Sequence, residues 1–377
     1  MRIGKFKFNH YINYIVIGLL TVVLGGIALA GGRFDNSLLF LLEKMAISII
    51  LAVSLSLVVG FLGELSLGHA GFMCVGAYLG GKIAALLVPS LGNGILTFLI
   101  SLLVGGGVAA LCGVIIGLPA LRLRGDYLAI VTLAFGEIVK SIFQNTSNDS
   151  FGGALGLNTP RYDKKYLFII AFVLVLITLA VVQNFIRSKH GRAVTAIRDN
   201  EIAARATGIN VTKYKLIAFT LSATFAGIAG VLYSFSNYTV QSAKFGYNYS
   251  IEILVMVVLG GMGSINGSIL AAALITFLNT KLATVLTGDL AVLQNLLYAL
   301  ILIAIVIYNN APALKGFRDK YNLNVLLKKL IKHDPSHMKD DAAKWDVVPT
   351  KIEMNEVLSI DLTPQDKQDY TGNGGDN

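Results

Sequence analysis

Hydrophobic residues in this chain fall into long runs, without strand-like alternation, and the runs recur from near the start to about residue 310. Ten are of roughly membrane-spanning length: 12–31, 45–62, 66–88, 94–118, 127–143, 166–186, 216–236, 250–263, 266–287 and 290–310. About 20 apolar residues in a helix satisfy every backbone hydrogen bond internally and cross a hydrocarbon core of about 30 Å. The pattern predicts an all-α, polytopic membrane protein of about ten transmembrane helices, with residues 1–310 as its membrane domain. Two stretches disturb the rhythm. GELSLGHAGF (63–72) puts Gly, Ser, Glu and His between the second and third runs, and LGGMGSINGS (259–268) puts a cluster of glycines between the eighth and ninth. The eighth run, about 14 residues long, spans only roughly 21 Å as a helix. Short or glycine-broken spans in each half of a chain point to a transporter's translocation site, while the same glycines also serve close helix packing. Ser66, Gly68, His69, Gly260, Gly261 and Gly263 are the path candidates these breaks supply.

The largest polar interruption is RSKHGRAVTAIRDNEIAARATGINVTKYK (187–215), with seven Lys/Arg residues between two apolar runs. Basic loops stay in the cytoplasm. With the N-terminus inside, cytoplasmic segments hold 18 Lys/Arg and external ones, which include Arg33, Lys44 and Lys244, hold six, so both termini are expected inside. The same run carries the signals of a short helix. Asp199 and Asn200 can cap its start, Glu201 can pair with Arg205 one turn on, and Gly208 can end it. Ala196, Asn200, Ala203 and Thr207 would form one face of small side chains, open to another protein.

Composition agrees with the pattern. The chain is 55% hydrophobic and 14% charged, against about 25% charged for a soluble domain. Its net charge of +9 comes largely from basic residues beside apolar runs, which argues against a nucleic-acid partner and for the lipid bilayer. Cys74 and Cys112 both sit inside apolar runs and read as small packing residues. MRIGKFKFNH and the run after it, ending Ala28-Leu29-Ala30, imitate a signal peptide, but with so many spans following, a retained first span is expected. Beyond Asn310, residues 311–332 are basic, and LNVLLKKLIK (323–332) sets its apolar residues on one face, as an interfacial helix would. Residues 333–377 hold ten acidic residues against four lysines and read as an acidic, solvated, disordered cytoplasmic tail.

Reactive chemistry is sparse. Neither HExxH nor GxSxG occurs, and the histidines at 10, 69, 190, 333 and 337 are scattered. GAYLGGK (76–82) imitates the start of a phosphate-binding loop, yet Ile83 stands where Ser or Thr must hold magnesium. No catalytic residue, metal site or cofactor is expected. Ionisable groups at membrane depth are functional candidates by default, and here they are Glu64, His69, Glu137 (with Lys140 one turn on) and Glu252. Asp126 after Gly125 has the simpler role of capping the fifth span.

SLGHAGFMCVGAYLGG, GLPALRLRGDYLAIVTLAFGEIV, GRAVTAIRDNEIAARATGIN and SIEILVMVVLGGMGSINGSILAA together resemble a permease subunit of bacterial branched-chain amino acid ABC importers. The longer of that family's two permease types, the LivM type, is the more similar, over roughly residues 45–310. The resemblance implies a multi-pass subunit of the bacterial cell membrane that is not itself an enzyme. Its partners would be a sister permease, two cytoplasmic ABC ATPase subunits and an external substrate-binding protein, and its substrates leucine, isoleucine and valine. Related permeases carry urea or short amides, and an ion-coupled secondary transporter is the alternative from another class. By the same resemblance Glu201, Ala203, Ala204 and Gly208 fall where such permeases carry a Glu-Ala-Ala-xxx-Gly signature, with Ile202 intervening. That loop docks on the ATPase, and Arg192, Arg198 and Arg205 would make charged contacts there.

Overall fold

The computed structural model describes residues 36–285, apart from 93, 124 and 161, together with Gly18, Ala299, Leu300 and Ile303. Apart from those four residues, the first and tenth apolar runs lie outside the described residues, as do the basic 311–332 segment and the acidic tail. What is described is almost wholly helical. Helix α1 (Asn36–Ser56) continues as a π-helical stretch, Leu57–Leu62, and is followed by α2 (His69–Leu91), α3 (Ile95–Ala120), α4 (Asp126–Asn145) and α5 (Lys164–Arg187). Two short helices, α6 (Lys189–Asp199) and α7 (Glu201–Ala206), lead into α8 (Val211–Ser236), α9 (Tyr247–Gly260) and α10 (Ile265–Val285). A single pair of two-residue strands, β1 (Leu157–Asn158) and β2 (Thr239–Val240), adds a small exception to the all-α expectation.

Six of the described helices are long and apolar enough to cross a membrane: α1 with its π extension, α2, α3, α5, α8 and α10. The eight apolar runs within the described region each correspond to a helix, but α4 carries Asp126, Glu137 and Lys140, and α9 has only 14 residues. The largest boundary correction is in α1, which begins at Asn36 and not at 45. Glu43 and Lys44 depress the local hydropathy and hide its first two turns, so Lys44 belongs to this helix and not to a loop.

α1 is the axis of the bundle. Its apolar stretch is 89% buried, and it packs against α5, α8, α9 and α10. α2, α3 and α8 form a second, very tight contact group. Small residues let these backbones meet, as expected where lipid supplies no hydrophobic drive for helix association. A β-carbon added at Gly76 of α2 would stand 2.2 Å from the Gly227 carbonyl oxygen of α8.

Contacts gather the connections at two ends. Residues 60–64, the α5–α8 connection and the 261–264 turn meet at one, which we call the basic end. The strands meet at the other, where Thr159 also donates to the Ser234 and Asn237 carbonyls. Between these ends the chain is not uniformly helical. Ser54 on α1 lies eight residues before Leu62, about 12 Å up the helix, and His69 bonds to it. The 63–68 segment therefore climbs back into the bundle before α2 starts. From the other end, residues 239–246 descend, so that Tyr78, nine residues into α2, donates to the Val240 carbonyl. Irregular backbone at membrane depth is stable only when covered by protein, and Val240, Ser242 and Phe245 are all buried.

Replacing Gly76 with Ala is expected to lower stability by about 1–3 kcal/mol or more, because the added methyl meets helix backbone that cannot rotate away. Gly107→Ala, where an added β-carbon meets nothing within 4 Å, is the matched control. Thermal unfolding of both variants in detergent should show a clear drop only for Gly76→Ala.

Candidate functional site

The α5–α8 connection is built from local rules. Ser188 caps α6, accepting from the backbone N–H groups of His190 (3.1 Å) and Gly191 (3.3 Å). Asn200 caps α7 by accepting from Ala203 N–H at 3.0 Å, Glu201 pairs with Arg205 at 2.9 Å, and Gly208 follows with φ +86°. The helix expected to start at the Asn200 cap is α7, and a further helix, α6, precedes it; the extended backbone of Asn200 ends α6 and begins α7, so Ala196 does not share a helical face with Ala203. Nor is the connection free of buried surface. Gly191, Ala193, Val194 and Ile197 turn one face of α6 inward, and Ala204 does the same for α7. Ala203, Arg192 and Arg205 stay exposed, and so does Ile202, at 76%. A large apolar side chain that exposed, on a short polar helix beyond the spans, is covered by none of the described residues.

Two charged side chains fasten this connection to the spans. Lys215, in the first turns of α8 and only 3% exposed, donates to Glu64 Oε1 (2.5 Å) and Glu201 Oε2 (3.2 Å). One ammonium thus joins α8, α7 and the turn that follows the π-helix. Arg198 donates through Nη1 to the Gly60 carbonyl (3.1 Å) and through Nη2 to Asp199 (2.9 Å). The acceptor at Gly60 lies in the π-helical stretch, where the wider i→i+5 pairing disturbs the ordinary ladder. Gly60 also takes the third element of this joint: an added β-carbon there would lie 2.5 Å from Gly263 N in the α9–α10 turn. Both glycine-rich breaks and the 187–215 connection therefore meet at one place.

The other candidates lie deeper. Ser66 is buried, and Gly68 faces Thr132 so closely that a β-carbon would stand 2.4 Å from its carbonyl oxygen. Leu67 N–H donates to Thr132 Oγ1 (3.0 Å), while His69 Nε2 lies 2.8 Å from Ser54 Oγ and Ala70 N–H donates to Ser250 Oγ (3.2 Å). The first break is thus stitched to α1, α4 and α9. Gly260 ends α9 and packs on Gly267 in the first turn of α10, and Gly261 follows it into the turn. Glu137 pairs with Lys140 (2.9 Å) and accepts from Tyr247 N–H (2.7 Å) at the start of α9. Glu252 accepts from Asn279 Nδ2 on α10 at 3.0 Å, which ties it to a neighbouring span. The candidates do not form one cluster. Arg198, Glu201 and Gly263 belong to the joint at the basic end, whereas His69 and Glu137 lie within the bundle.

Sequence reasoning missed three participants. Lys215 was read as one more basic residue of a loop, because its partner Glu64 is 151 positions away. Gly60 sits in an apolar run with nothing to mark it. Glu43 is 1% exposed and accepts from Ser236 Oγ at 2.6 Å, and only the displaced start of α1 concealed it.

Comparison with known proteins gives this geometry its setting. The high-affinity branched-chain amino acid transport system permease protein LivM of Salmonella typhimurium is 39% identical over 260 residues, covering 61% of this chain and 60% of the relative. The protein of the same description from Escherichia coli matches equally, so the chain aligns with about three-fifths of these relatives' length. The ribose import permease protein RbsC of Escherichia coli is 27% identical over 290 residues, 73% of this chain and 86% of that protein. No solved structure matches. The family model described as "Branched-chain amino acid transport system / permease component" covers residues 37–306, which include every described span and both ends of the joint. This multi-pass membrane protein belongs to that permease family.

Proposed function

We propose that this chain is the membrane-spanning subunit of an ATP-driven importer for leucine, isoleucine and valine. ATP hydrolysis would occur in separate cytoplasmic subunits docked on residues 191–209, and a sister permease and an external substrate-binding protein would complete the assembly. Both termini and the basic end then face the cytoplasm, in keeping with the positive-inside rule. The observation that carries this reading is the joint itself. A connection with an exposed Ile202 and exposed Ala203, Arg192 and Arg205 is bound through Lys215 and Arg198 to the two breaks in the spans. Movement imposed on α7 from outside is passed through Glu201 and Lys215 to α8 and Glu64, and through Arg198 of the adjoining α6 to Gly60. Glycine-rich breaks that are stitched by a few hydrogen bonds are the places where spans can shift with the least repacking.

The substrate assignment extends to this chain what the names of its LivM relatives say of those proteins. Leucine uptake into vesicles containing this chain, the sister permease, the ATPases and the binding protein should require ATP inside. Uptake by this chain alone, driven by an ion gradient without ATP, would replace the reading with a secondary transporter. ATP-driven uptake of urea or short amides, with leucine refused, would keep the machine and change its cargo.

Two substitutions test the joint. Lys215→Met leaves the Glu64 and Glu201 carboxylates facing each other; removing one partner of a buried ion network costs on the order of 3–5 kcal/mol. Uptake per assembled complex should fall at least about tenfold, which corresponds to about 1.4 kcal/mol of lost coupling, and Lys215→Met/Glu64→Gln should regain part of the stability without the uptake. Ala203→Arg, on the exposed face of α7, should abolish ATPase co-purification while membrane insertion and thermal stability stay normal. Ala204→Arg should instead destabilise the chain itself, since Ala204 is 4% exposed. Normal co-purification and uptake with Ala203→Arg would remove the docking assignment.

A further inference from the structure

The end of α1 is backbone whose hydrogen bonding has a near alternative. Over Leu57–Leu62 the ladder is π-helical, so each N–H reaches one residue further back than in an α-helix. The stretch closes at Gly63, φ +79°, and the Val58 carbonyl accepts both the Gly63 N–H and the Glu64 N–H (3.1 Å). Each hydrogen-bonded turn here holds one residue more than an α-helical turn. The sequence LVVGFL gives the α form little advantage, since Val58 and Val59 are β-branched and Gly60 is a weak helix former. Ser56 marks the same imbalance. Ser54, Ser101 and Thr178 each donate to a carbonyl three or four residues back. The buried Ser56 hydroxyl lies against Gly60 instead, with no hydrogen-bond partner among the described residues.

The chain is fixed on both sides of this stretch. Before it, α1 is deeply buried against α5, α8, α9 and α10 and cannot tilt without repacking all four. After it, Leu67, His69 and Ala70 are bonded to Thr132, Ser54 and Ser250. The joint grips what lies between. Arg198 donates to the Gly60 carbonyl, and its stem lies across Gly63, where an added β-carbon would stand 2.6 Å from Arg198 Cγ. Lys215 holds Glu64. A push on α6 or α7 therefore acts on residues 60–64, with packed helix on one side and a stitched segment on the other.

We propose that the π-helical stretch is the hinge of α1, and that its ladder shifts between i→i+5 and i→i+4 pairing as the joint moves. In the tighter register the Gly63 N–H leaves the Val58 carbonyl for that of Val59. The chain beyond then advances by one helical residue, about 100° of turn and 1.5 Å of rise. Gly60 and Glu64 turn together with α6 and α7 and keep their bonds to Arg198 and Lys215. The non-helical 63–66 segment, which belongs to no ladder, absorbs the difference. Movement is thus confined to little more than one turn, and the shaft of α1 keeps its packing. The inference rests on the import reading and names where in the chain the ATP-driven movement is taken up.

The test uses the complete importer in lipid vesicles. Deleting Val59 removes the spare residue and leaves an α-helical turn that joins the same two flanks, while Val59→Ala removes most of the same side chain and keeps the residue count. The deletion variant should assemble and hydrolyse ATP, yet its leucine uptake should fall at least about tenfold. Val59→Ala should keep most of its uptake. Full uptake by the deletion variant, or an equal loss in both variants, would overturn the proposal. If the deletion variant does not assemble, hydrogen exchange in the unaltered importer decides. Backbone amides of residues 57–64 should exchange at least about fivefold faster during ATP turnover than without nucleotide, with those of residues 45–56 unchanged. The same exchange over 57–64 in both conditions would overturn the proposal. Leucine uptake by the unaltered importer is measured in parallel. Its failure to require ATP removes the import reading, whereas ATP-driven uptake with unchanged exchange removes the hinge alone.

Discussion

The structure depends on one ammonium group held between two carboxylates. Lys215 is almost fully buried, and a charge in that position persists only when it is paired and hydrogen-bonded. Glu64 and Glu201 supply both requirements, and they belong to two separate parts of the chain, the turn after the π-helix and α7. The pairing fixes where the α7 helix lies, holds the turn that follows the π-helix, and sets the start of α8. Arg198 then closes the same joint on the Gly60 carbonyl, and Gly60 has no side chain to keep Gly263 away.

From this joint the bundle can be followed upward. The π-helical stretch delivers the chain to a climbing, non-helical 63–68 segment, which is anchored to α1, α4 and α9 by Ser54, Thr132 and Ser250. From the opposite end, residues 239–246 descend to the short α9, whose start is held by Glu137. The two irregular segments approach mid-depth from opposite ends, and α4 touches both. The short α9 is thus accounted for. Part of its crossing is made by the buried segment that precedes it, so a helix of 14 residues suffices.

Much of this was legible in the sequence, and the limit follows the separation of the partners. The Asn200 cap, the Glu201–Arg205 pair and the stop at Gly208 involve residues at most four apart and were read correctly. Apolar runs located eight helices, because length and hydropathy are local properties. What failed was anything that needed a third dimension. Lys215 and Glu64 meet across 151 positions, and the inward turn of Ala204 depends on which side of α7 faces α8. No helix was expected ahead of Asn200, yet α6 forms there and its Val194 and Ile197 are core residues. Glu43 and Lys44 lowered the hydropathy of a buried helix start enough to make it look like a loop. Charged residues that are satisfied internally mislead a hydropathy window in just this way.

The central claim is that α7 and the two breaks at the basic end form one mechanical unit. Spin labels at Ile202 on α7 and Met262 in the α9–α10 turn, both strongly exposed, allow the distance between them to be measured in the assembled importer. The account predicts the same distance distribution without nucleotide and with ATP trapped, while either label moves relative to a third at Tyr238 at the opposite end. A change between positions 202 and 262 of a helical turn, about 5 Å, with the 262–238 distance unchanged, would contradict it.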